Sequence, residues 1–183
     1  MDPTSTPSPK SPLRSWGLSW GGWLDNRHGE WWLLAQLALI TAHLLPPWPA
    51  PGSWGYAWPL PVAASGIALF VLGLLLAAQA FWRLGPSLTP LPDPKPGAAL
   101  VTTGAYGRCR HPLYQAVLLC SLGVVLALGS LLHLALLLGL CGVLGGKARR
   151  EERKLLAVHP DYGAYRAVVP AIIPRLPWLD WRA

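Results

Sequence analysis

Two short polar segments carry the residue types that could do chemistry. Gly104–Tyr114 reads GAYGRCRHPLY and sets Arg108, Arg110, His111 and Tyr114 within two helical turns, just before a long apolar run. Pro112 lacks an N–H, and its fixed φ suits the first turn of a helix, so the spacing predicts a helix beginning at His111 or Pro112. The first turn of that helix carries unpaired N–H groups and the positive end of the dipole. Arginines beside such a terminus can hold a carboxylate or phosphate. They can equally be positive-inside residues at a membrane surface, and the segment alone favours neither. The second segment begins at Lys147 and reads KARREERKLL. Glu151 and Glu152 lie in it beside Arg149, Arg150, Arg153 and Lys154. By themselves they describe a solvated helical face whose ion pairs are worth little.

What must position these residues is apolar. Of 183 residues, 52% are hydrophobic and 13% charged, about half the charged fraction of a soluble domain. No Asp, Glu, Lys or Arg occurs from Trp31 to Trp82 or from His111 to Gly146. The net charge of +7 does not point to nucleic acid, because the basic residues flank apolar runs and match no nucleic-acid-binding motif. Three cysteines, Cys109, Cys120 and Cys141, show no CxxC spacing and predict neither a disulfide framework nor a metal site.

Along the chain, residues 1–29 form a Pro- and Trp-rich N-terminal segment without a cleavable signal pattern. Its first twelve residues read as disordered, and Trp16, Trp20 and Trp23 suit a membrane interface or packing on the body of the protein. Residues 30–82 hold two apolar spans. The first, Glu30–Pro47, is short for a crossing of about 20 residues; its His43 reads as a structural hydrogen-bonder. The second, Leu60–Trp82, fits without strain, and Gly66 and Gly73 allow close helix approach. Arg83–Arg110 is a Pro-rich polar connection that cannot be a regular helix, and a structured loop this long usually has a function. His111–Gly146 accommodates two crossings turning at Gly129–Ser130, with His133 at the far interface. The helix carrying Glu151 and Glu152 extends beyond the bilayer and ends at His159–Pro160. The Pro-interrupted tail returns to the interface, and residues 175–183 close the chain.

Lysines and arginines precede the first span (Lys10, Arg14, Arg27), follow the second (Arg83, Lys95, Arg108, Arg110) and follow the fourth (Lys147 onward). The positive-inside rule then places both termini and the long loop in the cytoplasm. The predicted architecture is an all-α, polytopic membrane bundle of about four transmembrane helices, with a C-terminal hairpin and a cytosolic pocket. A tight hairpin brings RHPLY beside the glutamate pair. The resulting pocket, cationic and aromatic on one side and acidic on the other, suits a zwitterion.

GAYGRCRHPLY, a hairpin, and then EERKLLAVHPDYGAYRAVVPAIIP together resemble the isoprenylcysteine carboxyl methyltransferase family and, more broadly, the membrane methyltransferases that include phospholipid N-methyltransferases. The pattern is matched at Gly104, Tyr106, Arg110, His111, Pro112 and Tyr114, and again at Glu151, Glu152, Leu155, Tyr162, Tyr165 and Pro170. The resemblance covers residues 83–174, the methyltransferase core, and leaves the first two spans uncovered.

The resemblance implies S-adenosylmethionine as methyl donor, with Tyr106, Arg110, His111, Pro112, Tyr114, Glu151 and Glu152 as its pocket. Arg110 and the helix N-terminus would take its carboxylate and a glutamate its ammonium; Arg110, Glu151 and Glu152 are the candidate catalytic residues. In-line methyl transfer needs no metal, and alignment supplies most of the acceleration. A carboxylate acceptor needs no base, whereas an amine would pass its proton to a glutamate; the alternatives stay open. Acceptor contacts are expected at Ser87 and Thr89 in the Pro-rich loop and at Tyr162 and Tyr165. The expected partners are a lipophilic small-molecule or lipid acceptor and the membrane, with no nucleic acid and no metal, in a bacterial inner membrane. Two other readings stand beside this one. A membrane NADPH-dependent reductase of sterol-reductase type would need a dinucleotide site, and no GxGxxG is present. A non-catalytic membrane scaffold leaves RHPLY and the glutamate pair unexplained.

Overall fold

The computed structural model describes residues 24–94 and 97–182. Trp16, Trp20 and Trp23, expected at an interface or packed on the body, the first twelve residues, expected to be disordered, and Lys10, Arg14 and Lys95 therefore lie outside the described residues. Among those described there are five complete α-helices and no strand: α1 Glu30–Ala42, α2 Leu60–Leu84, α3 Pro112–Leu128, α4 Leu131–Val158 and α5 Tyr162–Val168.

Two helices, α2 and α4, are long and apolar enough to cross a membrane; α1 and α3 are shorter apolar helices. With 25 residues, α2 is about 37 Å long. Its most apolar stretch has a mean hydropathy of 2.4 and is only 11% buried within the protein. Leu60, Ile67, Leu75 and Trp82 all point outward. A helix apolar on every face and covered on few needs lipid around it, and the protein is a membrane protein.

The first span is shorter than expected. α1 stops at Ala42, not near Pro47, because the backbone tightens into i→i+3 turns ending at Leu45, and Pro46 and Pro47 supply no N–H to continue the ladder. The other predicted elements stand close to their expected bounds. α3 begins at Pro112, with His111 at its N-cap. Gly129 takes φ 59°, and Ser130 caps α4. Among its described residues, the Pro-rich connection holds the 3₁₀ turns Gly85–Ser87 and Gly104–Gly107 and no α-helix beyond the end of α2.

α2 lies along α3 at backbone distance. A Cβ on Gly66 would stand 2.4 Å from the Ala127 nitrogen and 2.6 Å from the Gly123 carbonyl, and one on Gly73 would stand 2.5 Å from Cys120 Sγ. Close approach without a GxxxG spacing is thus met by glycines seven residues apart facing the small residues of α3. Gly66→Ala is expected to lose about 1–3 kcal/mol through overpacking. Gly52→Ala, with open space around its Cβ, should be neutral. Thermal unfolding of both variants in detergent checks this pair.

On the other side, α1 packs on α4. His133, just past the turn, is fully buried there, and its Nε2 donates to the His43 carbonyl at 3.3 Å. His43 has the structural role expected of it. Its Nδ1–H donates to the Leu39 carbonyl at 2.8 Å, leaving Nε2 to accept from the Ser121 hydroxyl at 2.5 Å. The tail does more than return to an interface. Ala171, Ile172 and Leu179 join Leu118, Leu140, Leu144 and Ala148 in the main core, so the C-terminal segment closes over the start of α3.

Candidate functional site

The site is built around the buried Arg110. Its backbone N–H donates to the Pro170 carbonyl at 2.9 Å and that of His111 to the Ala171 carbonyl at 3.0 Å, so the approach to α3 is paired to the tail. The guanidinium then reaches across to α4. Nε donates to Glu152 Oε1 at 2.7 Å and Nη2 to Glu152 Oε2 at 3.2 Å. Nη2 also donates to the Trp181 carbonyl at 2.5 Å. Nη1 donates to the carbonyls of Arg166, at 2.9 Å, and Val169. Arginine has five N–H groups, and here each has a protein acceptor.

Glu152 is equally committed. Besides Arg110, it accepts from His111 Nε2 at 2.9 Å and from Trp181 Nε1 at 2.6 Å, and Arg166 Nε stands 3.6 Å away. Charge-assisted and bidentate bonds of this kind are the strong ones. They tie together α3, α4, α5 and the tail. Cys109, one residue earlier, donates from Sγ to the Ala171 carbonyl at 3.1 Å, and burial pushes its thiol up to about 12. It is a packing residue and not a nucleophile.

Glu151, one position on, points elsewhere. Its Oε2 accepts from the Tyr114 hydroxyl at 3.0 Å and lies 3.7 Å from His111 Nδ1, and its side chain keeps 25% exposure. The His111 ring stacks on Tyr114, with centroids 5.3 Å apart and planes within 2°. Two cavities meet at this carboxylate. An outer one of about 80 Å³ is lined by Ser87, Thr89, Tyr106, His159, Tyr162 and Tyr165 as well as Glu151. An inner one of about 350 Å³ is lined by Leu33, Leu37, Leu113, Tyr114 and Lys147 along with Glu151. Tyr106, Arg110, His111, Thr89 and Leu84 belong to both walls. The inner cavity shares Ala77 and Val117 with an apolar cleft of about 410 Å³ that runs past Phe70, Leu74 and Cys120 between the helices.

In the outer cavity the tyrosines are held by one another. Tyr165 donates its hydroxyl to the Tyr106 carbonyl at 2.5 Å, and its ring meets Tyr162 edge-on. Burial pushes the hydroxyls of Tyr106, Tyr162 and Tyr165 well above the usual tyrosine range, so all three stay neutral donors. The Tyr162 hydroxyl is buried without a hydrogen-bond partner, an expensive condition unless something else fills it.

The residues singled out in the sequence thus converge, with roles more divided than their types suggest. Tyr106, His111, Tyr114, Glu151, Ser87, Thr89, Tyr162 and Tyr165 surround one pair of cavities. Pro112 is buried and only starts α3. Arg108 is exposed and takes no part. Glu152 does not face the two cavities; it borders a separate open hollow with Trp32, Arg149 and Trp181. Among the described residues, neither glutamate pairs with Arg149, Arg150, Arg153 or Lys154 as a solvated face would have it; Lys154 pairs instead with Asp93 at 2.5 Å. Three participants went unread: Lys147, Gln36 and Trp181. Lys147 looked like one more positive-inside residue, and a late tryptophan among prolines looks like an interface anchor. Neither carries a local signal of what it meets. Among the described residues, no group of three or more His, Cys, Asp and Glu side chains is gathered to hold a metal ion.

The family model described as phospholipid methyltransferase matches residues 62–158, more than half of the chain. The chain belongs to the phospholipid methyltransferase family. That match runs from α2 through the helix bearing Glu151 and Glu152, helices that wall the inner cavity together with α1, which lies outside the match. Two relatives extend the likeness further. The chain is 33% identical over 181 residues to the cobalt-zinc-cadmium resistance protein CzcN of Cupriavidus metallidurans, covering 93% of this chain and 76% of that protein. It is 30% identical over 159 residues to the nickel-cobalt-cadmium resistance protein NccN of Alcaligenes xylosoxydans xylosoxydans, covering 82% of this chain and 66% of that one. The chain therefore spans about two thirds of the one relative and three quarters of the other. No solved structure matches it.

Proposed function

We propose that this phospholipid methyltransferase family member is an integral membrane, S-adenosylmethionine-dependent methyltransferase. It would methylate a carboxylate or amine of a lipophilic acceptor at the cytosolic edge of the membrane. The observation that carries this reading is the Glu151 carboxylate at the wall common to two cavities. One is polar and aromatic beneath the Pro-rich loop; the other is largely apolar and leads into the bundle. In this reading α1 to α4 make four crossings of an inner membrane, α3 and α4 forming a hairpin, with both termini cytoplasmic as the basic residues require.

The residues fit the cationic parts of the cofactor. A carboxylate, tyrosine rings and an unpartnered Tyr162 hydroxyl make a surface for an ammonium and a sulfonium. They fit its carboxylate less directly than the sequence implied, since Arg110 has no N–H to spare. His111 is no better placed, its backbone N–H being given to Ala171 and its Nε2–H to Glu152, so the first-turn amides of α3 remain as candidates. When bound, the cofactor supplies an electrophilic methyl group. The chain's own part is alignment and exclusion of water. Glu151 holds the cationic side and, for an amine acceptor, can take the proton. Tyr114 and His111 fix the carboxylate's direction, while the apolar walls of the inner cavity and the cleft receive the acceptor's tail. The names of CzcN and NccN place those proteins in cobalt-zinc-cadmium and nickel-cobalt-cadmium resistance. On this reading the chain would serve such a setting by modifying a membrane amphiphile.

Calorimetric titration of the detergent-purified chain with S-adenosylhomocysteine tests the proposal. Micromolar binding, weakened in Glu151→Gln, is the expected result. No binding by well-folded protein overturns the cofactor assignment, and NADPH is then the next titrant. Tyr162→Phe gives a second check. Removing an unpartnered buried hydroxyl should leave the melting temperature unchanged or higher, while S-adenosylhomocysteine affinity falls by roughly 2- to 10-fold if the hydroxyl meets the ligand.

A further inference from the structure

Lys147 sits on α4 one turn before Glu151 and is 2% exposed. Its ammonium has three donors. Two are given to neutral groups: Gln36 Oε1 at 2.7 Å and the Pro90 carbonyl at 2.8 Å. It also lies 5.3 Å from the centroid of the Tyr114 ring. Among the described residues, no carboxylate is in ion-pair contact with it. The contrast with Arg110, buried to the same degree and bidentate to Glu152, is direct. A buried ammonium without a counter-ion is costly to keep charged, and in this protein that ammonium borders a cavity large enough for a ligand. The neutral acceptors hold the nitrogen in place without cancelling its charge. Around it the walls are mostly apolar, at Leu33, Leu37, Leu113 and Val117, with the Glu151 carboxylate one turn further along α4 on the same wall and near enough to act on the ammonium through space without pairing to it; Ala77 and Val117 continue into the cleft between the helices.

We propose that Lys147 is the anion-holding residue of the inner cavity, and that the missing counter-ion is the carboxylate or phosphate head of a single-chain amphiphile whose tail lies in the adjoining cleft. This rests on the methyltransferase reading for the fate of that amphiphile, and narrows its acceptor from a carboxylate or amine to an anion. A cationic amine head seated at Lys147 would meet a like charge in a mostly apolar enclosure; Glu151 on the same wall would attract it, and the proposal places the head at the lysine, with Glu151 turned to the cofactor. Lys147 is then a specificity-determining residue. The cofactor's own carboxylate has the same chemistry, and the test separates the two sources.

The probes are dodecanoate, dodecyl phosphate and dodecylamine, titrated into the full chain in lipid nanodiscs, with S-adenosylhomocysteine titrated in parallel. Wild type should prefer the anionic probes to the amine. Lys147→Gln should weaken dodecanoate binding by about 10-fold or more and leave S-adenosylhomocysteine binding unchanged; Lys147→Arg should restore most of the loss. The proposal is overturned if Lys147→Gln binds dodecanoate as wild type does, or if only S-adenosylhomocysteine binding falls, which would give the lysine to the cofactor. Should Lys147→Gln fail to fold, the wild-type preference decides: tighter binding of dodecylamine than of dodecanoate overturns the proposal. Absence of S-adenosylhomocysteine binding to wild type sinks the methyltransferase reading alone, since the anion preference is read independently.

Discussion

Arg110→Lys is expected to destabilise the protein almost as severely as Arg110→Ala, by about 3–5 kcal/mol, and to lower the melting temperature by roughly 10 °C or more. The substitution keeps the charge, which is why the expectation is informative. Lysine has three donors on one nitrogen and cannot reproduce a planar fork. At this position the fork simultaneously meets both oxygens of Glu152 and the carbonyls of Arg166, Val169 and Trp181. At least two buried acceptors would lose their donors, and Glu152 would lose its bidentate partner. Glu152→Gln should cost a similar amount, because it leaves a buried guanidinium facing a neutral amide whose NH₂ cannot accept. The double variant should be better than the sum of the singles, since each single leaves the other charge unpaired. Thermal unfolding in detergent, with retention on size exclusion as the fold check, reads all of these. Melting of Arg110→Lys within a degree or two of wild type would mean that the knot is not structural, and would release Arg110 as a ligand for the cofactor.

Glu151→Gln is expected to behave in the opposite way: stability within about 1 kcal/mol of wild type and turnover reduced by about 100-fold or more. The amide oxygen can still accept the Tyr114 hydroxyl, and a quarter of the side chain is exposed, so the fold loses little. What disappears is the negative charge at the junction of the two cavities. Release of radiolabelled methyl groups from S-adenosylmethionine into host lipid extract, compared between variant and wild type at matched folded fraction, gives the readout. Unchanged turnover would remove Glu151 from the chemistry and shift attention to His111 and the tyrosines of the outer cavity. The neighbouring Glu152 cannot be tested by activity in this way, because its loss is predicted to unfold the site before any catalytic effect is seen.

Two adjacent glutamates with separate duties illustrate what could and could not be read in advance. As neighbours on a helix their Cβ atoms diverge by about 100°, so one can face the cavities while the other faces the tail. Which does which depends on where the tail runs, and the tail's path depends on Arg110 and His111 pairing with Pro170 and Ala171, some 60 residues away in the chain.

The sequence by itself determined the helices and where they break. Pro112 starting α3, glycine at 129 with its positive φ, the prolines after α1 and through the long loop, and unbroken apolar runs are local properties, decided by backbone sterics and by the need to keep polar groups out of lipid. Two elements departed from that reading: α1, trimmed to Ala42 by tight turns that hydropathy does not register, and the short α5, formed within a tail read as Pro-interrupted. The residues around the cavities were also legible as types, because a short motif keeps Tyr106, Arg110, His111 and Tyr114 together on one stretch. Only the tertiary structure decided how their hydrogen-bonding capacity is spent. Arg110 looked like a ligand for an anion until each of its five N–H groups was found with an acceptor from α4, α5 or the tail. Lys147 looked like a topology marker until it was found buried against Gln36, 111 residues earlier, with no carboxylate among the described residues in ion-pair contact with it. Donor-and-acceptor accounting is a property of the whole packed neighbourhood, and no window of sequence contains that neighbourhood.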